Sequence, residues 1–181
     1  MIEINVKLSK NVQSLFQRLE KRMADMSPVM GDIADIMYNS VMDNFLAGGR
    51  PTWAPLASVT KTIRKKEGKW PGQILQRSGR LKSSITSGFG SDFAIVGTNV
   101  KYAPLHQFGA EKGEYGEKTI TEQVRSHFKI LRAGKKIKVR AHKRTRKMQI
   151  PWGDVPARPF LALGDDDMRK IEDTLLQWLG E

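Results

Sequence analysis

The chain has 181 residues, 39% of them hydrophobic, which is enough for one domain with its own core. It contains no cysteine, which excludes disulfides, thiolate metal sites and a cysteine nucleophile. No apolar run approaches the ~18 residues of a membrane helix, and a formal net charge of +12 points to an anionic partner: nucleic acid, an acidic protein surface or lipid head groups.

In chain order, Ile2, Ile4, Val6 and Leu8 alternate and predict a half-buried first strand. The same N-terminus lacks a basic region followed by an apolar core, so it is not read as a secretory signal. A soluble chain made in the cytoplasm is expected. Ser9 can cap a helix whose apolar positions are Val12, Leu15, Phe16, Leu19 and Met23. A second helix is predicted with Ser27 as N-cap and Pro28 in its first turn, ending at Gly48-Gly49. Its stripe of Met30, Ile33, Ile36, Met37, Val41 and Phe45 reads as core packing.

A Pro-rich, aromatic stretch follows, helical from about Pro55 to Lys66. Two short strands flank Gly90-Ser91-Asp92, with Ile85 inward on the first and Phe93 and Ile95 on the second. A turn or short helix from Tyr102 to Phe108 closes at Gly109. Residues 110–150 read as an insertion. Between Lys118 and Lys147 it holds about a dozen Lys and Arg and one acid, Glu122. Within it, Val124-Arg125-Ser126-His127 and Val139-Arg140-Ala141-His142 repeat on either side of Ala133-Gly134. A turn there lays them antiparallel as a basic β-hairpin. Met148 and Ile150 suggest a last strand, and a final helix begins at Gly164–Asp167 with Met168, Ile171, Leu175 and Leu179 as its apolar side. Asp165, Asp166 and Asp167 complement the positive end of the helix dipole. Consecutive helical carboxylates point in different directions and converge poorly on a metal.

The pattern is α+β: a small antiparallel sheet packed against N-terminal helices and a C-terminal helix, in one domain over 1–181, with a basic β-hairpin insertion. No chemistry emerges. His106, His127 and His142 have no partners at metal-binding spacing, and no phosphate-binding or nucleophile motif occurs. His106 is read as structural, its imidazole donating to a backbone carbonyl to fix the turn before Gly109. No catalytic residue, metal or cofactor is assigned, and the protein is not expected to be an enzyme.

Four segments occur in order: RPTWAPLASVT (Arg50–Thr60), LQRSGRLKSSI (Leu75–Ile85), AIVGTNVKYAPLHQFGA (Ala94–Ala110) and IPWGDVPARPFLAL (Ile150–Leu163). With them the chain resembles the tailed-phage virion morphogenesis family of Mu-like tail completion proteins, from about Ser27 to the end. The Trp-Gly-Asp between Pro151 and Val155 lengthens the last motif. The resemblance implies a structural protein that completes or terminates the tail at the head–tail junction. It would act as a homo-oligomeric ring, a hexamer being one candidate size, beside tail-tube and neck proteins. It would occupy the host cytoplasm during assembly and then the virion tail or neck. Trp53, Gly79, Leu81, Tyr102, His106, Gln107, Gly109, Arg158, Pro159 and Phe160 would be its structural motif, with Tyr102, Phe108, Trp53 and Phe160 packing around the sheet and Pro159 holding the approach to the last helix.

The alternative is a nucleic-acid-binding protein acting through the arm at 118–147. Its candidate contacts are Lys135, Lys136, Lys138, Arg140, Lys143, Arg144, Arg146 and Lys147. Phe128 is the one aromatic residue in the arm, whereas single-strand binding uses several stacking platforms. The arm is expected to project from the domain and meet either DNA in a channel or a neighbouring subunit.

Overall fold

The computed structural model describes residues 9–132 and 134–180; the first strand expected at Ile2–Leu8 lies outside them. The chain divides into two compact units: residues 1–107 with 158–181, and Phe108–Ala157. The class is α+β, with helices and small antiparallel sheets.

Helix α1 (Lys10–Ala24) starts where Ser9 accepts the Val12 N–H at 3.4 Å. It buries no residue: Leu15, Phe16 and Met23 stay exposed although the sequence spaces them as a core stripe. Helix α2 (Ser27–Ala47) is the axis of the first unit. Its N-cap is Met26, one residue before the expected Ser27, and Pro28 lies in the first turn. Gly48 ends it at φ 75°, a left-handed conformation that costs glycine least.

One side of α2 carries the hairpin of β1 (Ile85–Phe89) and β2 (Ala94–Thr98), paired from Ile85↔Thr98 to Phe89↔Ala94. Cross-strand partners share a face. Ile85, Val96 and Phe89 therefore share one, and Phe89 reaches Gly31 of α2. Ile95 and Phe93 are exposed, so the inward residue of β2 is Val96 and the expected alternation is shifted by one. A one-residue shift exchanges the two faces of a strand. Helix α6 (Asp165–Gly180) packs on α2. It leaves Met168 and Leu179 more exposed than the sequence spacing suggests.

Two short helices connect these layers, α3 (Ser58–Lys66) and α4 (Arg80–Ser83), followed by α5 (Ala103–Phe108) after the hairpin. The core comprises Val41, Phe45, Trp53, Leu81, Ile85, Val100, Ala103 and Phe160. Phe45 sits edge-on to Trp53 at 5.9 Å between ring centres and 5.6 Å from Phe160. Such aromatic packing contributes beyond the area it buries.

The second unit is a long two-strand ribbon. Ala110 and Val155 exchange backbone hydrogen bonds at 2.9 and 2.8 Å at its base. Strands β3 (Glu117–Val124) and β6 (His142–Gln149) pair along eight residues, then β4 (His127–Ile130) pairs with β5 (Lys136–Val139). The repeated tetrapeptides lie opposite one another. Val124 faces His142, and His127 faces Val139. The ladder is interrupted between them, and both sides are built alike: His127 Nδ1 is 3.0 Å from the Arg125 carbonyl, and His142 Nδ1 is 2.9 Å from that of Arg140. At the tip, the Leu131 N–H donates to the Lys135 carbonyl at 3.0 Å.

Candidate functional site

The motif residues from distant parts of the chain meet on the segment Arg158–Ala162. The Trp53 indole N–H donates to the Pro159 carbonyl at 3.0 Å. Asn44 on α2 donates to the carbonyls of Phe160 at 3.0 Å and Ala162 at 2.8 Å. From α5, Gln107 Oε1 accepts the N–H groups of Phe160 and Leu161, both at 3.0 Å, and its Nε2 donates to the Leu161 carbonyl at 3.2 Å. This segment has no neighbouring strand among the described residues, and its backbone groups are met by side chains instead, as a buried backbone requires. Phe160, fully buried, is thereby set into the core.

His106 has a different place from the one read in the sequence. Among the described residues its Nδ1 is buried without a hydrogen-bond partner, and it is Gln107 beside it that ties the Phe160 segment. The His106 carbonyl accepts the Arg158 N–H at 2.7 Å, and the imidazole stands edge-on to Tyr102 at 5.7 Å. Burial, and then the charge of Arg158, hold its pKa below the ordinary histidine value. Tyr102 is 39% exposed and Phe108 78%, so neither is a core residue. Gly79 precedes α4 at φ 75°, and Leu81 is in the core. Gly109 has φ 77°, and a Cβ there would come within 2.7 Å of the Val155 carbonyl oxygen.

A second polar knot joins α2 to α6. Buried Asp167 accepts from Ser40 Oγ at 2.6 Å, from the Gly164 N–H at 3.0 Å and from Arg50 at 3.0 Å. Arg50 also donates to Asn44 Oδ1 at 2.9 Å. Burial alone would push the Asp167 carboxyl up; the hydrogen bonds from Ser40 and Gly164, with the charges of Arg50 and Lys170, hold it below the ordinary carboxylate value. Of the three aspartates, one is thus a buried cap and clamp, while Asp165 and Asp166 are exposed. Sequence reasoning missed Ser40, Asn44 and Arg50, and read Asp167 as a dipole partner without its buried contacts. Two polar residues inside the apolar stripe of α2 were the available signal.

On the ribbon, Lys118, Ile120, Glu122 and Val124 share a face with Met148, Arg146, Arg144 and His142. Arg146 pairs with Glu122 at 3.4 Å, and Lys147, on the opposite face, with Glu117 at 3.8 Å. Toward the tip, Lys138 and Lys136 stand opposite exposed Phe128 and Ile130. Lys143 lies opposite Gln123, Lys135 is in the turn, and Arg140 is in the interruption. The eight basic residues are spread along both faces and do not converge on one point. Among the described residues, no group of three or more His, Cys, Asp or Glu is placed to hold a metal ion, and no helix is long and apolar enough to cross a membrane.

The conserved-family model described as the phage virion morphogenesis family matches residues 8–180. The chain belongs to the phage virion morphogenesis family. It is 33% identical over 147 residues to Mu-like prophage FluMu G protein 2 of Haemophilus influenzae, covering 72% of this chain and 99% of that protein. It is 44% identical over 57 residues to putative capsid assembly protein G of Escherichia phage Mu, covering 32% of this chain and 36% of that one. No solved structure matches. As a member of the virion morphogenesis family, this chain serves phage virion assembly, a structural role that brings it together with other virion proteins.

Proposed function

We propose that the chain completes or terminates the tail at the head–tail junction and acts there as a homo-oligomeric ring. The observation that carries this reading is the bare two-stranded sheet. Among the described residues β1 and β2 form no ladder with a third strand; Ile95 on β2 is 58% exposed, and Phe93 just before the strand 50%. Two-stranded sheets are marginal alone, and unpaired edges with apolar side chains invite a further chain. Exposed Leu15, Phe16 and Met23 on α1 add apolar surface of the kind that association buries. On this reading the protein works in the host cytoplasm during assembly and then resides at the head-proximal end of the tail.

Sedimentation at moderate salt tests the proposal. A closed oligomer, lost on Ile95→Asp, is the expected result. A monomer across the concentration range, together with tight binding to short duplex DNA, would instead favour the nucleic-acid reading. The density of Lys and Arg on the ribbon supports that second reading, and its phosphate contacts would weaken steeply with salt.

A further inference from the structure

The second unit carries opposite charges at its two ends. Its base, where Ala110 and Val155 pair, borders an open hollow of about 540 Å³. Phe108, Val155 and Pro156 are part of its apolar wall, and Glu111, Glu114 and Asp154 stand on the same lining. These are three of the five acids of this otherwise basic unit; the other two, Glu117 and Glu122, pair with Lys147 and Arg146 along the ribbon. The three carboxylates of the hollow are exposed, and among the described residues none forms an ion pair. Asp154 accepts the Lys112 N–H at 2.9 Å and Glu114 the Glu111 N–H at 2.8 Å, which fixes both at the rim.

The tip has the complementary make-up. The segment from Lys129 to Lys138 contains five Lys and Arg and no acid. On one face of β4 and β5, Phe128 and Ile130 stand opposite Lys138 and Lys136. Those two apolar side chains are 68% and 64% exposed. No tip residue lines the hollow of its own chain. The strand direction from Glu117 to Ile130 advances ~3.3 Å per residue, which sets tip and base roughly 40 Å apart.

We infer that the ribbon tip of one copy docks in the basal hollow of the next copy. Phe128 and Ile130 meet the wall at Phe108 and Pro156, and Lys136 and Lys138 meet the carboxylates of Glu111, Glu114 and Asp154. The inference rests on the homo-oligomer proposed above and names its contact. Two different surfaces of one chain then meet head to tail, the kind of interface that closes into a ring. Exposed ion pairs add little affinity, so the apolar contact holds the tip. The charges select the partner surface, because tip against tip and hollow against hollow repel.

The test uses the full chain, whose lack of cysteine makes introduced thiols specific. Phe108→Cys with Phe128→Cys in one chain should oxidise to a ladder of linked multimers. Neither single variant should link to itself, and a mixture of the two singles should stop at linked dimers. Linked dimers from one single variant would show a symmetric contact and overturn the inference. Lys136→Glu with Lys138→Glu should raise the concentration of half-assembly about tenfold or more, as should Glu111→Lys, and joining all three should recover most of the loss. Every position changed is exposed, and neither backbone tie runs through the Glu111 carboxylate. An oligomer indifferent to these reversals, or a double-cysteine chain that forms no ladder, overturns the contact and leaves the ring reading standing. A wild-type monomer at every concentration removes both. Tip variants that sediment like wild type but lose affinity for duplex DNA assign the tip to phosphate and also overturn the contact.

Discussion

Gln107 holds the backbone at Phe160 through three hydrogen bonds, accepting from Phe160 and Leu161 and donating to Leu161. One side chain therefore joins two motifs about fifty residues apart in the chain, and its loss strands three backbone groups at once. Gln107→Ala is expected to cost roughly 2–4 kcal/mol, each unmet buried group contributing about 1 kcal/mol or more. Gln107→Glu keeps the acceptor and loses the donor, so it should cost less. Urea unfolding of the two variants measures this, and equal losses would show that the accepting oxygen has no part.

Phe160 and Phe108 sit in neighbouring motifs and differ completely in setting, one fully buried and one 78% exposed. Phe160→Ala should lose roughly 3–5 kcal/mol through the cavity beside Phe45. Phe108→Ser should stay within about 0.5 kcal/mol. A large loss from the second substitution would place Phe108 in a core that the structure does not show.

Asp167 makes stability depend on acid. Its folded-state pKa lies below the ordinary carboxylate value of about 3.9, so its contribution is present above that value and is lost as pH falls through the lower folded-state pKa. Asp167→Asn should cost about 2–4 kcal/mol near neutral pH, where the ionised carboxylate meets Arg50 and Ser40. The gap between variant and wild type should shrink with acidification below about pH 4. Denaturant melts across that range test it, and a constant gap would show that ionisation is not involved.

The outer ribbon, residues 125–141, lies within the second unit and can be removed by shortening the hairpin. Val124 faces His142, so a two-residue Asn-Gly turn can replace residues 125–141 and leave β3 and β6 paired. The shortened protein is expected to fold, with a melting midpoint within a few degrees of wild type. Loss of oligomer with folding intact would assign the ribbon to a subunit contact. Loss of DNA affinity alone, with a shallower salt dependence, would assign it to phosphate. A chain that cannot fold would show that the outer ribbon is needed for folding.

The sequence by itself determined what is local. Ser9 and Gly48 bound their helices because capping needs only a few neighbouring residues. The repeated Val-Arg-x-His segments announced the ribbon, since a turn between two like segments pairs them in register. The family motifs were legible as strings, but the job of each residue was not. Burial of Ser40 and Asn44 within an apolar stripe depends on α6 and the Phe160 segment arriving from over a hundred residues away. A separation of about fifty residues hid the choice of Gln107 over His106 as the tie, and packing on α2 decided the inward turn of Val96 over Ile95. Only the tertiary structure buried Arg158, because its guanidinium is met by the Ala54 and Pro55 carbonyls from over a hundred residues away.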